Sequence, residues 1–154
     1  MPLLLNMTQK IKTVTLYTDG ACSGNPGAGG WAYVLDYRGV QKQNSGGSKE
    51  TTNNQMELTA VIQGLQALKE SCAVELYTDS KYVLEGATKW LSGWQEKGWK
   101  KADKKPVLNV ELWQRLLPEL ERHKITWHWV KGHAGNPLNE LVDTLACEQR
   151  DAHK

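Results

Sequence analysis

An α/β fold, in which helices cover a mixed sheet, is what the sequence predicts, and two features carry that expectation. The tetrapeptide Leu-Tyr-Thr-Asp occurs at Leu16–Asp19 and again at Leu76–Asp79. Each copy closes a run whose residues alternate between two faces: Val14, Leu16 and Thr18 against Thr15, Tyr17 and Asp19, then Val74, Leu76 and Thr78 against Glu75, Tyr77 and Asp79. A period of two marks strands, and the helical sequence between the runs permits parallel pairing. The second feature is the element order, which is three strands, a helix, a strand, helices, a strand and a helix. A meander supplies the antiparallel part of such a sheet, and right-handed crossovers make the rest parallel.

Taken in order, the first strand is followed by Ser23-Gly-Asn-Pro-Gly-Ala-Gly-Gly30, which reads as a loop. Its glycines match neither the GxGxxG spacing of a dinucleotide site nor a P-loop, so a nucleotide-cofactor reading is rejected. Trp31 to Tyr37 and Val40 to Ser48 then form a hairpin turning at Arg38-Gly39. Thr52-Asn-Asn-Gln55 has the form of a capping box, and Leu58, Val61, Ile62, Leu65 and Leu68 predict a helix from Asn53 to Lys69. Asp79-Ser80 caps a short helix through Glu85, and another begins near Thr88. A lysine- and tryptophan-rich segment ends at Pro106. Val110 to Arg122 is helical, with Pro118 expected to kink or interrupt it. Ile125 to Lys131 alternates as a last strand, and Asn136-Pro137 opens a terminal helix whose inner face carries Leu138, Leu141, Val142 and Leu145.

The chain of 154 residues fits one domain, expected over residues 11–150, with residues 1–10 a poorly ordered N-terminal extension and 151–154 a tail. The opening Met1-Pro-Leu-Leu-Leu-Asn is neither a signal peptide nor a membrane span, and Cys22, Cys72 and Cys147 lack any paired pattern. These features fit a cytoplasmic protein with reduced thiols. A net charge of +2 decides nothing about partners, but its placement is uneven. Between Lys89 and Lys105 there are six lysines against two acids, Glu96 and Asp103.

Asp19 and Asp79 close two strands, and Glu57 and Asp143 lie on the flanks of the apolar stripes of two helices. Each has an ordinary explanation on its own, as a turn residue, a cap, a helix N-terminal charge or an exposed acid. In an open α/β sheet, however, ligands gather at the carboxyl ends of the parallel strands. Four carboxylates converging there repel one another unless cations bind them, and Mg²⁺ favours such all-oxygen sites. Strands about 4.8 Å apart suit the roughly 3.5–4 Å metal separation of phosphodiester chemistry. His133, in the glycine-flanked loop Val130-Lys-Gly-His-Ala-Gly135, is placed to move protons beside that cluster. A zinc site from His123, His128 and His133 would need three positions around one strand to converge, which disfavours it.

The motifs Tyr-Thr-Asp19-Gly with Gly-Asn-Pro-Gly, Thr-Thr-Asn-Asn-Gln-Met-Glu57-Leu, Tyr-Thr-Asp79-Ser, Trp-Val-Lys-Gly-His133-Ala-Gly and Asn139-Glu-Leu-Val-Asp143 together resemble bacterial ribonuclease HI, over about Ile11 to Gln149. The resemblance implies the ribonuclease H fold, a five-stranded mixed sheet flanked by helices with a basic helical protrusion. It also implies endonucleolytic cleavage of the RNA strand of RNA/DNA hybrids by two Mg²⁺ ions, with Mn²⁺ as an alternative, leaving 5′-phosphate and 3′-hydroxyl ends. Asp19, Glu57, Asp79 and Asp143 become the metal-binding catalytic carboxylates, and His133 assists proton transfer.

Substrate contacts follow from the same resemblance. The RNA 2′-hydroxyl would be read near Cys22 and Asn25 and by the amides of Asn53, Asn54 and Gln55, with Lys81 close by. Thr52 and Asn109 match a pocket for a DNA-strand phosphate, and Trp113 matches a residue lying against deoxyribose. Lys97, Lys100, Lys101, Lys104 and Lys105, with Trp90, Trp94 and Trp99, match the protrusion and would grip phosphates. Gln55 and Lys81 stand where relatives often carry arginine and glutamine, and Gln95 and Glu96 where many are basic. The expected partner is an RNA/DNA hybrid, with no membrane and no obligate protein partner, and the chain is expected to be a monomer. Two other readings share the fold: a noncatalytic hybrid- or duplex-RNA-binding module, and a DNA strand-transfer or resolving enzyme.

Overall fold

In the computed structural model, residues 11–101, 103–130 and 136–154 are described. The expected N-terminal extension, residues 1–10, lies outside them. Five strands form one sheet in the order β3-β2-β1-β4-β5: β1 Thr13–Gly24, β2 Gly27–Tyr37, β3 Val40–Thr51, β4 Ala73–Thr78 and β5 Lys124–Trp129. β1 pairs antiparallel with β2 and parallel with β4, and the repeated tetrapeptides align, with Leu16 opposite Leu76 and Tyr17 opposite Tyr77. β5 adds parallel to β4.

The helices are α1 Asn53–Gln66, α2 Lys81–Glu85, a π-helical turn Gly86–Trp90, α3 Leu91–Glu96, α4 Val110–Arg122 and α5 Pro137–Ala152. α1 and α4 cover one face of the sheet, where Leu16, Leu58, Ile62, Leu65, Leu76, Trp113 and Leu116 are fully buried. α5 covers the β1 and β2 part of the other face, setting Val142 and Ala146 against Tyr17, Ala32 and Val34. Alternation along β1 turns Leu16 to the first face and Tyr17 and Asp19 to the second.

The expected caps form. Thr52 Oγ1 accepts from Gln55 N at 3.2 Å while Thr52 N donates to Gln55 Oε1 at 3.3 Å, closing a reciprocal capping box. Ser80 Oγ accepts from Val83 N, and Asn136 Oδ1 accepts from Leu138 N and Asn139 N ahead of Pro137.

Several boundaries differ from expectation. Ser23 to Gly30 is not a loop. β1 and β2 run through it and turn tightly at Asn25-Pro26, a cis peptide, with Gly24 at φ +86°, where a side chain would be strained. Asp19 therefore sits inside β1, opposite Ala32, and not at its end. α1 stops at Gln66, not Lys69, and Arg122 takes the carbonyls of Leu65 and Leu68 at 3.0 and 2.8 Å. Pro118 does not break α4, whose buried Trp113 and Leu116 anchor it as one helix. No new helix starts near Thr88, because α2 passes through the π turn into α3. β5 ends at Trp129, two residues before the expected Lys131, and α5 reaches Ala152, into the stretch expected as a tail.

Among the described residues no helix is long and apolar enough to cross a membrane. The three cysteines are free thiols, one buried and two half-buried, as expected.

Candidate active site

β1, β4, α1 and α5 deliver the four acids to one place. Asp19 comes from the interior of β1, Asp79 from the residue after β4, and Glu57 from the second turn of α1. These three offer oxygens that all lie within 4.8 Å of one another. Asp143 joins from α5 through a hydrogen bond with Asp19, and also meets Cys147 Sγ at 3.7 Å. The approach of α1 to β1 depends on Gly20, since a Cβ there would stand 2.5 Å from Glu57 N and 2.6 Å from Met56 C. Only glycine lets Glu57 sit beside Asp19.

The electrostatics of this cluster are those of acids crowded out of water. Asp19 and Glu57 are only 3% and 4% exposed. Burial, then Asp79, then the hydrogen bond and charge of Asp143 push Asp19 up to about 8. Glu57 is held well above the usual carboxylate range by burial and by Asp19 and Asp79, and its Oε1 is buried without a hydrogen-bond partner. A donor set made only of carboxylate oxygens, mutually repelling and with one acceptor unsatisfied, fits a hard divalent cation.

The shift sets a sign for stability. Asp19 binds its proton more tightly in the folded chain than in the unfolded one, so its contribution is complete below about pH 4 and is lost as pH rises through about 8. Thermal melts of metal-free protein should therefore show Tm falling across that window. A saturating divalent cation such as Mg²⁺, if held by the folded site alone, should restore it most strongly at the alkaline end. A Tm independent of Mg²⁺ at pH 8 would contradict the account.

The expected substrate residues fall into two groups around the cluster. On one side the β1–β2 turn meets the start of α1. Asn25 Oδ1 accepts from Asn53 N at 3.2 Å, Cys22 Sγ donates to Thr51 O at 3.3 Å, and Asn53 and Asn54 are exposed. On the other side Gln55 Nε2 donates to Asn109 Oδ1 at 3.2 Å, so α1 and the start of α4 are tied together.

Asn109 stands at the start of α4, but its side chain makes no cap. In a left-handed conformation with φ of 60°, it donates sideways to Tyr82 Oη at 3.1 Å, and Trp113 Nε1 donates to the same hydroxyl at 3.1 Å. Trp113 has no exposed surface, so it packs in the core and does not itself lie open to a sugar. Tyr82, the hub of this network, was missed. Its bonds span 27 and 31 residues, and no local pattern signals them.

Lys97, Lys100, Lys101, Lys104 and Lys105 are all exposed on the segment that follows α3, where Lys100 bridges to Pro106. Trp94 packs on Trp113 at 5.4 Å, which moors the protrusion to the core, while Trp90 stays 39% exposed. A cavity of about 600 Å³ lies away from the carboxylates, between the protrusion and α4, and brings Lys101 and Lys105 to Gln55 and Asn109. Lys81, the first residue of α2, is exposed and lies over the Trp129 ring. His133 lies outside the described residues.

Comparison with known proteins gives the family and the fold. A family model for RNase H matches residues 11–151. The chain is 62% identical over 144 residues to a Ribonuclease H of Agrobacterium fabrum, covering 94% of this chain and 99% of that one. It is 59% identical over 137 residues to a Ribonuclease H of Bradyrhizobium diazoefficiens, covering 89% of each. Among solved structures it resembles LC9-RNase H1, a type 1 RNase H with the type 2 active-site motif, with a TM-score of 0.84 and 31% identity over 95% of this chain and 75% of that one. It also resembles the PFV RNase H domain, with a TM-score of 0.76 and 28% identity over 93% and 97% of the two chains.

Proposed function

Since the chain belongs to the ribonuclease H family, we propose that it hydrolyses the RNA strand of RNA/DNA hybrids by two-metal-ion catalysis, leaving 5′-phosphate and 3′-hydroxyl ends. The observation that carries this reading is the convergence of Asp19, Glu57 and Asp79 within 4.8 Å, with Asp143 hydrogen-bonded to Asp19. These four carboxylates would hold Mg²⁺, or Mn²⁺ in its place, and the ions when bound supply Lewis-acid activation of water and stabilisation of the leaving 3′ oxygen.

The chain's own groups do the rest. Asp19 and Glu57 surrender the protons that burial makes them keep, which makes the site ready only when a cation compensates them. His133 is proposed to carry a proton between the reacting oxygens and solvent. The platform joined by the Asn25–Asn53 bond, with Cys22, Asn54 and Gln55, is proposed to read the RNA 2′-hydroxyl in the shallow groove. Thr52 and Asn109, beside Lys101 and Lys105, are proposed to seat a phosphate of the DNA strand. Trp113 serves that seat from below, through Tyr82. A cytoplasmic location, which the free thiols fit, and a monomeric state are part of the same proposal.

Mapping the product ends tests the chemistry. RNA fragments extendable by a polymerase and ligatable without prior phosphorylation are expected; cyclic or 3′-phosphate ends would exclude metal-assisted attack by water.

The protrusion gives a separate prediction. Replacing Lys97, Lys100 and Lys101 together with Gln should raise KM while leaving kcat within about two-fold, and should lower the slope of log KM against log salt by up to about three, near one per phosphate contact. A salt titration of initial rates checks it, and an unchanged slope would remove the protrusion from the substrate path.

A further inference from the structure

Trp129 ends β5, and its indole makes two contacts with the residues that follow β4. Its Nε1 donates to the backbone carbonyl of Asp79 at 3.3 Å, and the ammonium of Lys81 lies over its ring, 4.5 Å from the centroid. That distance is well inside the range of a cation–π contact. Trp129 is 42% exposed and Lys81 is exposed, so both reach the surface. Lys81 makes no ion pair among the described residues, although Asp79 is only two residues away.

A free lysine on a helix end would sample many rotamers and lose that freedom on gripping an anion. Lying on an indole face, it is pre-oriented, and the ring leaves its ammonium hydrogens able to donate outward. The same indole fixes the main chain of a cluster carboxylate, so the cation and the cluster share one support. On the opposite flank of the cluster, the residues at the start of α1 are neutral amides. Lys81 is thus a cation set on a fixed arm at the edge of an acidic site, and its chemistry suits a phosphodiester oxygen of the strand entering that site.

We propose that Trp129 is a positioning residue for substrate binding: it holds Lys81 ready to contact a backbone phosphate of the RNA strand beside the carboxylate cluster. This rests on the hybrid being the substrate, as proposed above. Lys81 acts as a point charge, so the contact is independent of base sequence and sensitive to salt.

A double-mutant cycle on Lys81→Gln and Trp129→Leu, with Trp129→Phe as the conservative variant, tests it. Hybrid affinity is measured as a function of salt in the Asp19→Asn background, and KM and kcat are measured in the otherwise native chain. Lys81→Gln should lower the salt slope by about one. Trp129→Leu should weaken hybrid binding by about two- to five-fold when Lys81 is present and not in the Lys81→Gln background. Trp129→Phe, which keeps an aromatic face but no indole N–H, should retain most of the affinity, and the losses should fall on KM and not on kcat.

Equal losses from Trp129→Leu in both backgrounds would overturn the proposal, because Trp129 would then act only through Asp79 or through the fold. An unchanged salt slope in Lys81→Gln would overturn the phosphate contact. Failure of the native chain to bind or cleave a hybrid would instead refute the underlying functional reading, and is seen without any variant.

Discussion

Replacing Asp19 by Asn should lower kcat/KM on an RNA/DNA hybrid by well over 100-fold, because even the outer partners of metal ligands cost roughly 10–100-fold when lost. Asp19 is the acid that the others surround, lying with Glu57 and Asp79 within 4.8 Å and hydrogen-bonded to Asp143. The same change should stabilise the metal-free protein. Asn resembles the protonated acid that burial favours, so the variant avoids the cost of taking up a proton on folding. That gain should be small near pH 4, close to the ordinary Asp value where the unfolded chain already takes up much of the proton, and should grow towards pH 8. A Tm rise of a few °C at neutral pH, with activity gone, is the signature of a site that trades stability for function. Thermal melts of the two proteins at pH 4 and pH 8, beside hybrid cleavage assays, measure both effects. Equal Tm values at pH 8 would mean that the carboxylates do not strain the fold.

Trp113→Ala should be the most damaging change outside the cluster, costing about 3–5 kcal/mol as the removal of a fully buried large aromatic. At roughly 2–4 °C per kcal/mol for a domain of this size, Tm should fall by about 6–20 °C. The loss reaches function through named contacts: Trp113 and Asn109 share Tyr82 Oη, and Asn109 holds Gln55 at the start of α1. Trp113→Phe, which fills most of the space but cannot donate to Tyr82, should recover much of the stability. If its remaining defect lies in KM, the network supports the proposed phosphate seat; if KM is native, the network serves the fold alone. Guanidinium unfolding and steady-state kinetics on the two variants decide between these.

How much of this was legible in the sequence depended on how local each feature is. The repeated Leu-Tyr-Thr-Asp marked two strands able to pair in parallel because its alternation is local, and in that pair Leu16 faces Leu76. Thr52, Ser80 and Asn136 were readable as caps because a cap and its partner lie within three residues. The extension of β1 through Ser23 was hidden, since glycines that read as a loop become strand only when Gly24 pairs with Gly27. The side-chain bonds of Asn109 were hidden for a similar reason: its partners Tyr82 and Gln55 are 27 and 54 residues away. Trp113 was buried by Gly86, where any Cβ would collide with its ring. The four acids could be named from sequence, but the elevation of Asp19 could not, because it arises from burial together with groups on two other elements.

Mg²⁺-dependent cleavage of an end-labelled RNA/DNA hybrid by the native chain, with all-RNA and all-DNA duplexes alongside, bears most directly on the proposed activity. The account predicts cuts in the RNA strand of the hybrid only, lost on chelation of the metal. Tight hybrid binding without cleavage, or cleavage of the all-DNA duplex, would contradict it.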